Sequence, residues 1–509
     1  MPSQPSPHDT YTSPLASRNA SPEMLRIWSP RHKFNTWRRI WLAVAEAQQA
    51  CGLPITDEQI AELRAVVERG ITDEELARAA ELERDLRHDV MAHVHCLGEQ
   101  CPKAKPIIHL GCTSQDVVCN ADLITLRIAL KVIWLKSRRA VDSLAATSLL
   151  HKDTPCLAFT HYQAAQPTTV GRRVAGWGHD LNVCTDRVSH TRDTIFLRGL
   201  RGATGTQASF LALFEGWANK VTELETNFVY RMFSQFQDDA FDDSWAEPDH
   251  NQLTGQTYPR VFDTFVLADL ASTASVLHKI ATDIRLLSNR KELDEPFGKS
   301  QIGSSAMPYK RNPMKCERIC GLARFVMNMV GNAYDTAATQ WLERTLDDSS
   351  NRRLSLPESF LALDGCLDLM HEVAGGLVVN EAMVRKNLME ELPFLATENI
   401  LMEAVKAGGD RQDLHESIRV HAQAAGQRVK QEGLDNDLLD RVKADPMFQS
   451  KAKGGHLDRD LNWDNLMDPM QYVGRSVEQT ERFVREVVEP LRERYKEELA
   501  ALGSSDRGV

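Results

Sequence analysis

Residues 260–289 read as one uninterrupted helix of about 30 residues, about 45 Å long if straight, with Val261, Phe265, Leu267 and Leu270 recurring along it. Two long helical stretches precede it, at about Ser114–His151 and Thr168–Phe196. Two follow, near Met314–Gln340 and Pro357–Leu377. Alternating strand patterns are few and there is no βαβ rhythm; short extended pieces are expected only near Leu197–Ser209. Long helices joined by short polar segments pack as bundles, so the predicted class is all-α. One chain has too few partners to cover so many apolar stripes. Burying them against copies of the same chain is the simplest solution; a large monomeric helical array is the alternative.

Shorter helices flank the long ones. Ser29-Pro30 is a cap followed by a first-turn proline, and Phe34, Trp37, Trp41 and Val44 then recur at three- and four-residue steps up to Gly52. Thr56 to Gln59 and Thr72 to Glu75 are capping boxes. Three helical domains are expected: 1–112, with a disordered tail over 1–14; 113–380, the long-helix bundle carrying a loop at 301–313; and 381–509, with turns at Gly408-Gly409 and Gly454-Gly455. An acidic, aromatic segment, Phe233–Asn251, reads as a surface insertion.

The formal net charge of -11 argues against nucleic-acid binding through the overall field. An anionic ligand would need locally concentrated cations, and Lys310-Arg311 with Arg318, and Arg344 with Arg352-Arg353, are the clusters available. No uninterrupted apolar run reaches the roughly 18 residues of a membrane span. The N-terminus lacks the apolar core of a secretory signal. Ten scattered cysteines form no CxxC pair and read as reduced thiols of a cytoplasmic protein.

The densest chemistry lies in Gly303-Ser304-Ser305-Ala306-Met307-Pro308-Tyr309-Lys310-Arg311-Asn312-Pro313. Glycine and two prolines make it a loop. Lys310 and Asn312 could hold a carboxylate while Ser304 or Ser305 reaches the neighbouring carbon; a solvated basic turn is the bland alternative. His161 stands in Phe159-Thr160-His161-Tyr162-Gln163; a histidine is the side chain suited to protonating a departing nitrogen, or it can be a hydrogen-bonded structural residue. Arg87-His88-Asp89 opens a segment with three histidines whose spacing suits no metal on one helix face, so no metal is expected. Thr113-Ser114 precedes a long helix and forms an anion seat or a plain cap. Gly202-Ala203-Thr204-Gly205-Thr206 lacks the strand-to-helix context of a dinucleotide site. Glu343–Arg353 mixes arginines with serines, which suits a phosphate or a solvated charged loop.

The Ser304 run resembles the signature loop of the fumarase/aspartase superfamily. Ser17-Arg18, Arg87-His88-Asp89, Leu110–Ser114, Thr160-His161, Gly255–Tyr258, Glu343–Arg353 and Leu392–Ile400 resemble, more narrowly, the eukaryotic type of the adenylosuccinate lyase family, over about Tyr11 to Leu491. The resemblance implies β-elimination of fumarate from adenylosuccinate, giving AMP, and from succinyl-aminoimidazole-carboxamide ribotide. It implies Ser304 as general base and His161 as general acid, with Glu317 as its carboxylate partner. Lys310 and Asn312 would hold the succinyl carboxylates, helped by Thr113, Ser114 and Gln256, with Arg87, His88 and Asp89 lining the site. Arg18, Arg344, Ser349 and Arg353 would grip the phosphate, with Arg318 nearby. Asn19 stands where the family often has tyrosine. No metal or organic cofactor is implied, and a homotetramer with shared sites is. The alternatives are another superfamily lyase, such as argininosuccinate lyase, against which the Arg344–Arg353 cluster speaks, and a catalytically silent scaffold, against which Ser304 and His161 speak.

Overall fold

Hydroxyl caps set the first helices. In the computed structural model, which describes residues 9–237, 239–240, 249–298 and 301–502, Ser21 and Ser29 accept from Met24 N and His32 N and open α1 (Pro22–Ile27) and α2 (Pro30–Ala50). Both helices begin with proline, whose absent N–H would have no helical partner there. The boxes at Thr56 and Thr72 close as the sequence predicts and start α3 (Asp57–Arg69) and α4 (Asp73–Leu86). α5 (Asp89–Gln100) packs on α4. Trp37, Ile40, Trp41 and Val44 of α2 are buried.

The bundle is built from α6 (Ser114–Leu150), α7 (Val170–Thr194), α10 (Val261–Asn289), α11 (Met314–Ala338) and α12 (Asp348–Gly375), with α8 (Ala208–Leu213) and α9 (Ala218–Phe236) beside it. Side-chain bonds give the helix directions. Arg352 Nη1 lies 3.0 Å from Asp122 Oδ2 near the starts of α12 and α6, and Thr147 Oγ1 donates to Ala374 O at 2.7 Å near their ends. Arg352 also reaches Asp263 near the start of α10. Trp177 Nε1 donates to Asp283 Oδ2 at 2.8 Å, joining the beginning of α7 to the end of α10. Thus α6, α10 and α12 start at one end of the bundle, while α7 and α11 start at the other.

Two helix boundaries differ from expectation. α12 begins at Asp348, not near Pro357, and keeps that proline inside. Its first turns are held by buried ion pairs, Asp348 with Arg260 and Arg352 with Asp263, which offset the cost of an internal proline. α7 begins at Val170, because β1 (Pro155–Thr160) and β2 (Gln163–Thr169) form an antiparallel hairpin with Thr160 opposite Gln163. Periodicity missed it, since neither strand alternates. Around Leu197–Ser209 the described residues hold only an isolated bridge from Leu197 to His250. β3 (Leu293–Asp294) pairs with β4 (Val378–Val379) beyond the ends of α10 and α12. Residues 1–8 of the expected tail, and 238 and 241–248 of the expected insertion, lie outside the described residues; residues 233–236 close α9.

α13 (Glu381–Leu395) lies against the β1–β2 hairpin. α14 (Thr397–Lys406) and α15 (Arg411–Gln427) belong to a second apolar core that includes Ile400, Leu414, Ile418, Phe448 and Leu457. The chain then returns, and Val484 and Val488 join the main core. Only α10, among the described residues, is long and apolar enough by composition to cross a membrane; half of its apolar window is buried within the bundle.

Candidate active site

The first group of candidate residues gathers where α6 begins. Asp116, fully buried, accepts from Thr113 N at 2.7 Å and thereby fixes the cap. Its other oxygen takes the Arg198 guanidinium and the amides of Arg201 (2.7 Å) and Gly202 (3.1 Å). The glycine-rich loop is thus wrapped around the helix start rather than facing a ligand. Arg198 also donates to Gly255 O at 3.1 Å, next to Gln256. One buried pair therefore ties Thr113, Ser114 and Gln256 together, and neither member was singled out from sequence, where a buried charge looks like a surface one.

Ser114 Oγ lies 3.4 Å from His88 Nε2. His88 caps α5 by accepting from Met91 N at its Nδ1, which leaves Nε2 facing Ser114. Arg87, at φ 54°, is the left-handed end of α4 and lets the chain turn into α5. Asp89 follows, with Arg353 Nη2 donating to its Oδ2 at 3.0 Å. The other two histidines of this segment go elsewhere: His95 is exposed, and His93 is buried, stacked on Phe34 at 3.7 Å between centroids. Burial, with the charges of Arg38 and Lys33, holds the His93 pKa down to about 4.

Arg344 donates to Gln256 Oε1 at 2.9 Å, and Gln256 Nε2 donates to Ala203 O at 2.9 Å. Ser349 sits in the first turn of α12. Arg344, Ser349 and Arg353 thus stand at the start of α12 beside the start of α6, where helix N-termini favour an anion.

The second group lies at the opposite end. His161 and Tyr162 form the two-residue tip of the β1–β2 hairpin, with φ of 53° and 57°. A turn with two left-handed residues normally takes Asn or Gly; a histidine and a tyrosine held there are strained, as side chains at working sites often are. The hairpin is seated against the end of α10 by Arg290, whose guanidinium lies 4.8 Å from the Phe159 ring centroid. The Ser304 loop emerges beyond the same end of α10 and leads into α11. Its neck is fastened: Glu295, buried, accepts from Lys315 N and Cys316 N, both at 3.0 Å. Within the loop Ser304 Oγ accepts from Met307 N at 3.1 Å, and Asn312 Nδ2 donates to Gly303 O at 2.8 Å. Gly303 is required, because a Cβ there would strike Lys310 O. Lys310 is exposed. Glu317 and Arg318 open α11, and Glu317 lies 3.8 Å from Arg285 rather than bonded to His161.

Within one chain the two groups are far apart. α6 alone, 37 residues, spans about 55 Å, with Ser114 at its start and the hairpin after its end. Arg18 and Asn19 belong to neither group. Their segment lies against the middle of α12, where Asn19 O meets Gly365, and the Asn19 side chain donates to Pro14 O at 2.9 Å. Among the described residues, no cluster of three or more His, Cys, Asp or Glu could hold a metal ion.

Comparison with known proteins gives a consistent picture. Residues 16–328 match a family model described as lyase, and residues 393–483 match one described as adenylosuccinate lyase C-terminus. The chain is 47% identical to the adenylosuccinate lyase of Saccharomyces cerevisiae over 482 residues, covering 94% of this chain and 95% of that one. It is 43% identical to that of Schistosoma mansoni, with 97% and 98% covered. In fold it resembles a fumarate lyase from Mesorhizobium sp. BNC1, with a TM-score of 0.74 at 21% identity, covering 94% of this chain and 99% of that one.

Proposed function

The chain belongs to the adenylosuccinate lyase family, within the fumarase/aspartase superfamily, and on that premise we propose that it is a lyase of purine and AMP biosynthesis that eliminates fumarate from adenylosuccinate and from succinyl-aminoimidazole-carboxamide ribotide. The observation that carries this reading is 43–48% identity over nearly the whole chain to several adenylosuccinate lyases. The arginine-rich start of α12 supports a phosphorylated substrate and speaks against argininosuccinate as the natural one.

In the proposed reaction Ser304 removes the proton beside a succinyl carboxylate. The charge spreads into that carboxylate, where Lys310, Asn312 and the Thr113-Ser114 helix start stabilise it. His161 protonates the leaving nitrogen, the C–N bond breaks and fumarate departs. Arg18, Arg344, Ser349 and Arg353 hold the phosphate, with Arg318 nearby, and Arg87, His88, Asp89 and Gln256 line the base and sugar side. Ser304 Oγ accepts from Met307 N at 3.1 Å, a bond that favours the deprotonated oxygen a base requires.

A homotetramer with sites shared between chains brings the two ends of different bundles together. Two observations support it: the separation of Ser114 from His161 along α6, and the apolar side chains left exposed on α10 and α11. Val261 and Phe265 on α10, and Phe325 and Tyr334 on α11, are exposed, alongside Gly321 and Gly331, where nothing approaches an added Cβ within 4 Å. Small residues let a partner helix come close. All ten cysteines are free thiols, nine of them buried, which supports a cytoplasmic location. The test is an ultraviolet assay of purified protein on adenylosuccinate, with fumarate measured independently; absence of turnover on both succinyl nucleotides, with turnover of argininosuccinate, overturns the reading.

A further inference from the structure

Lys33 sits in the first turns of α2, half-buried, with its ammonium 4.8 Å from the Trp37 ring centroid and 5.2 Å from that of Phe34. Phe34 is stacked on His93 of α5, and His93 lies one turn beyond Asp89, on the same helix face. This seats Lys33 against the Asp89–Arg353 pair. Among the described residues no carboxylate oxygen lies within 4.0 Å of its ammonium. The carboxylates that face it are committed or distant. Asp89 pairs with Arg353 and Asp122 with Arg352, each at 3.0 Å, and Glu83 acts only through space. Burial and the nearby Arg353 charge lower the Lys33 pKa. A half-buried ammonium held by aromatic faces alone, next to a second cation, is an arrangement that gains most when an anion arrives.

We propose that Lys33 is a direct ligand of the substrate phosphate, closing on it from α2 while Arg353 closes from α12. The proposal rests on the reading of the α12 arginines as the phosphate site. It adds an element that the motif regions do not contain, since Lys33 lies outside all of them.

The test uses the full-length enzyme and two substitutions, Lys33→Met, which keeps the packing on the rings, and Lys33→Arg, which keeps the charge. Loss of one charge-assisted contact raises KM for adenylosuccinate and Kd for AMP roughly 10- to 100-fold in Lys33→Met, with a smaller change in kcat. Lys33→Arg recovers most of the affinity, and the dephosphorylated succinyladenosine is indifferent to both. Equal loss with phosphorylated and dephosphorylated ligands, or no loss, overturns the proposal. If Arg353→Ala discriminates between those ligands and Lys33→Met does not, Lys33 alone is wrong; if neither does, the phosphate site itself is misassigned. A measurement on the unaltered protein covers the case of a misfolded variant. Acylation of Lys33 by a limiting amine reagent is slowed at least several-fold by saturating AMP or by inorganic phosphate, and unchanged labelling refutes the contact.

Discussion

Arg352 and Arg353 are neighbours in the first turns of α12 and face opposite ways. Arg352 turns inward, with Nε donating to Asp263 Oδ2 at 2.6 Å and Nη1 to Asp122 Oδ2 at 3.0 Å. Arg353 turns outward to Asp89 at 3.0 Å, its side chain 62% exposed. Successive residues on a helix do not share a face, so one arginine holds the bundle together and the other is available to a ligand.

Their substitution by alanine should separate stability from binding. Arg352→Ala strands the buried Asp263 carboxylate and should cost on the order of 3–5 kcal/mol of stability, read by denaturant unfolding. Arg353→Ala should leave stability nearly unchanged and weaken substrate binding by about 1.5–3 kcal/mol. That loss should be a raised KM with a smaller change in kcat. If the two variants unfold at the same denaturant concentration, the inward and outward roles are wrongly assigned.

The hairpin tip offers a second prediction. Tyr162 has φ 57° and His161 φ 53°, a conformation that costs a non-glycine residue roughly 1–2 kcal/mol. Tyr162→Gly should therefore stabilise the protein, by about 0.5–1 kcal/mol once the added freedom of the unfolded chain is counted. His161→Asn should stabilise similarly while removing activity. A fall in Tm for both variants would show that the tip is held by packing strong enough to erase the strain.

How much of this was legible beforehand depended on whether a residue announces itself locally. The caps at Ser29, Thr56 and Thr72 did, because a hydroxyl before an acidic or apolar run has one common use. The β1–β2 hairpin did not: its strands lack alternation and its tip lacks the Asn-Gly that usually marks such a turn. The start of α12 read as loop because Asp347–Arg353 is polar, and only the buried partners Arg260, Tyr258 and Asp263 explain its helix. Ser304 and His161 were visible through family resemblance. Asp116, Arg198 and Lys33 were not, because nothing in a linear pattern distinguishes a buried charge from a solvated one.

His93 should govern part of the acid sensitivity of the α2–α5 region. Its folded pKa of about 4 lies below the ordinary 6.5, so the folded state favours the neutral ring. Its contribution is fully present above pH 6.5 and is lost as pH falls from 6.5 towards 4, because the unfolded chain takes up the proton first. Replacing it by phenylalanine, which keeps the stack on Phe34, should flatten the stability profile across that window. Denaturant unfolding at several pH values checks this, and parallel profiles for the two proteins would remove His93 from the account.

Shared sites make a prediction about mixtures. Light scattering should report a tetramer, and a fully active monomer at working concentration would contradict it. Chains carrying His161→Ala and Ser304→Ala should each be inactive. Although His161 and Ser304 lie at the same end of one chain's bundle, a site that takes them from two different chains is restored by random mixing in about a quarter of cases, the product of two even chances. No recovery, with subunit exchange demonstrated by labelled chains, would place both residues in the same subunit's contribution.

The acid–base assignment is tested by separating the proton steps from binding. Ser304 is partly exposed in a loop whose neck is fixed by Glu295, and His161 is exposed at a hairpin tip; neither supports the core, so both alanine variants should fold and bind substrate. General acid or base assistance is worth roughly 100- to 10,000-fold, and Ser304→Ala should lose at least that in single-turnover release of fumarate. His161→Ala should lose comparably with a natural leaving nitrogen, and less with an analogue whose nitrogen leaves without protonation, since only the acid step is missing. Ser304→Ala should show no such rescue, because carbon deprotonation precedes departure. Circular dichroism and AMP binding serve as controls. If Ser304→Ala releases fumarate at near the normal rate, Ser304 is not the base, and Ser305 or a histidine must take its place.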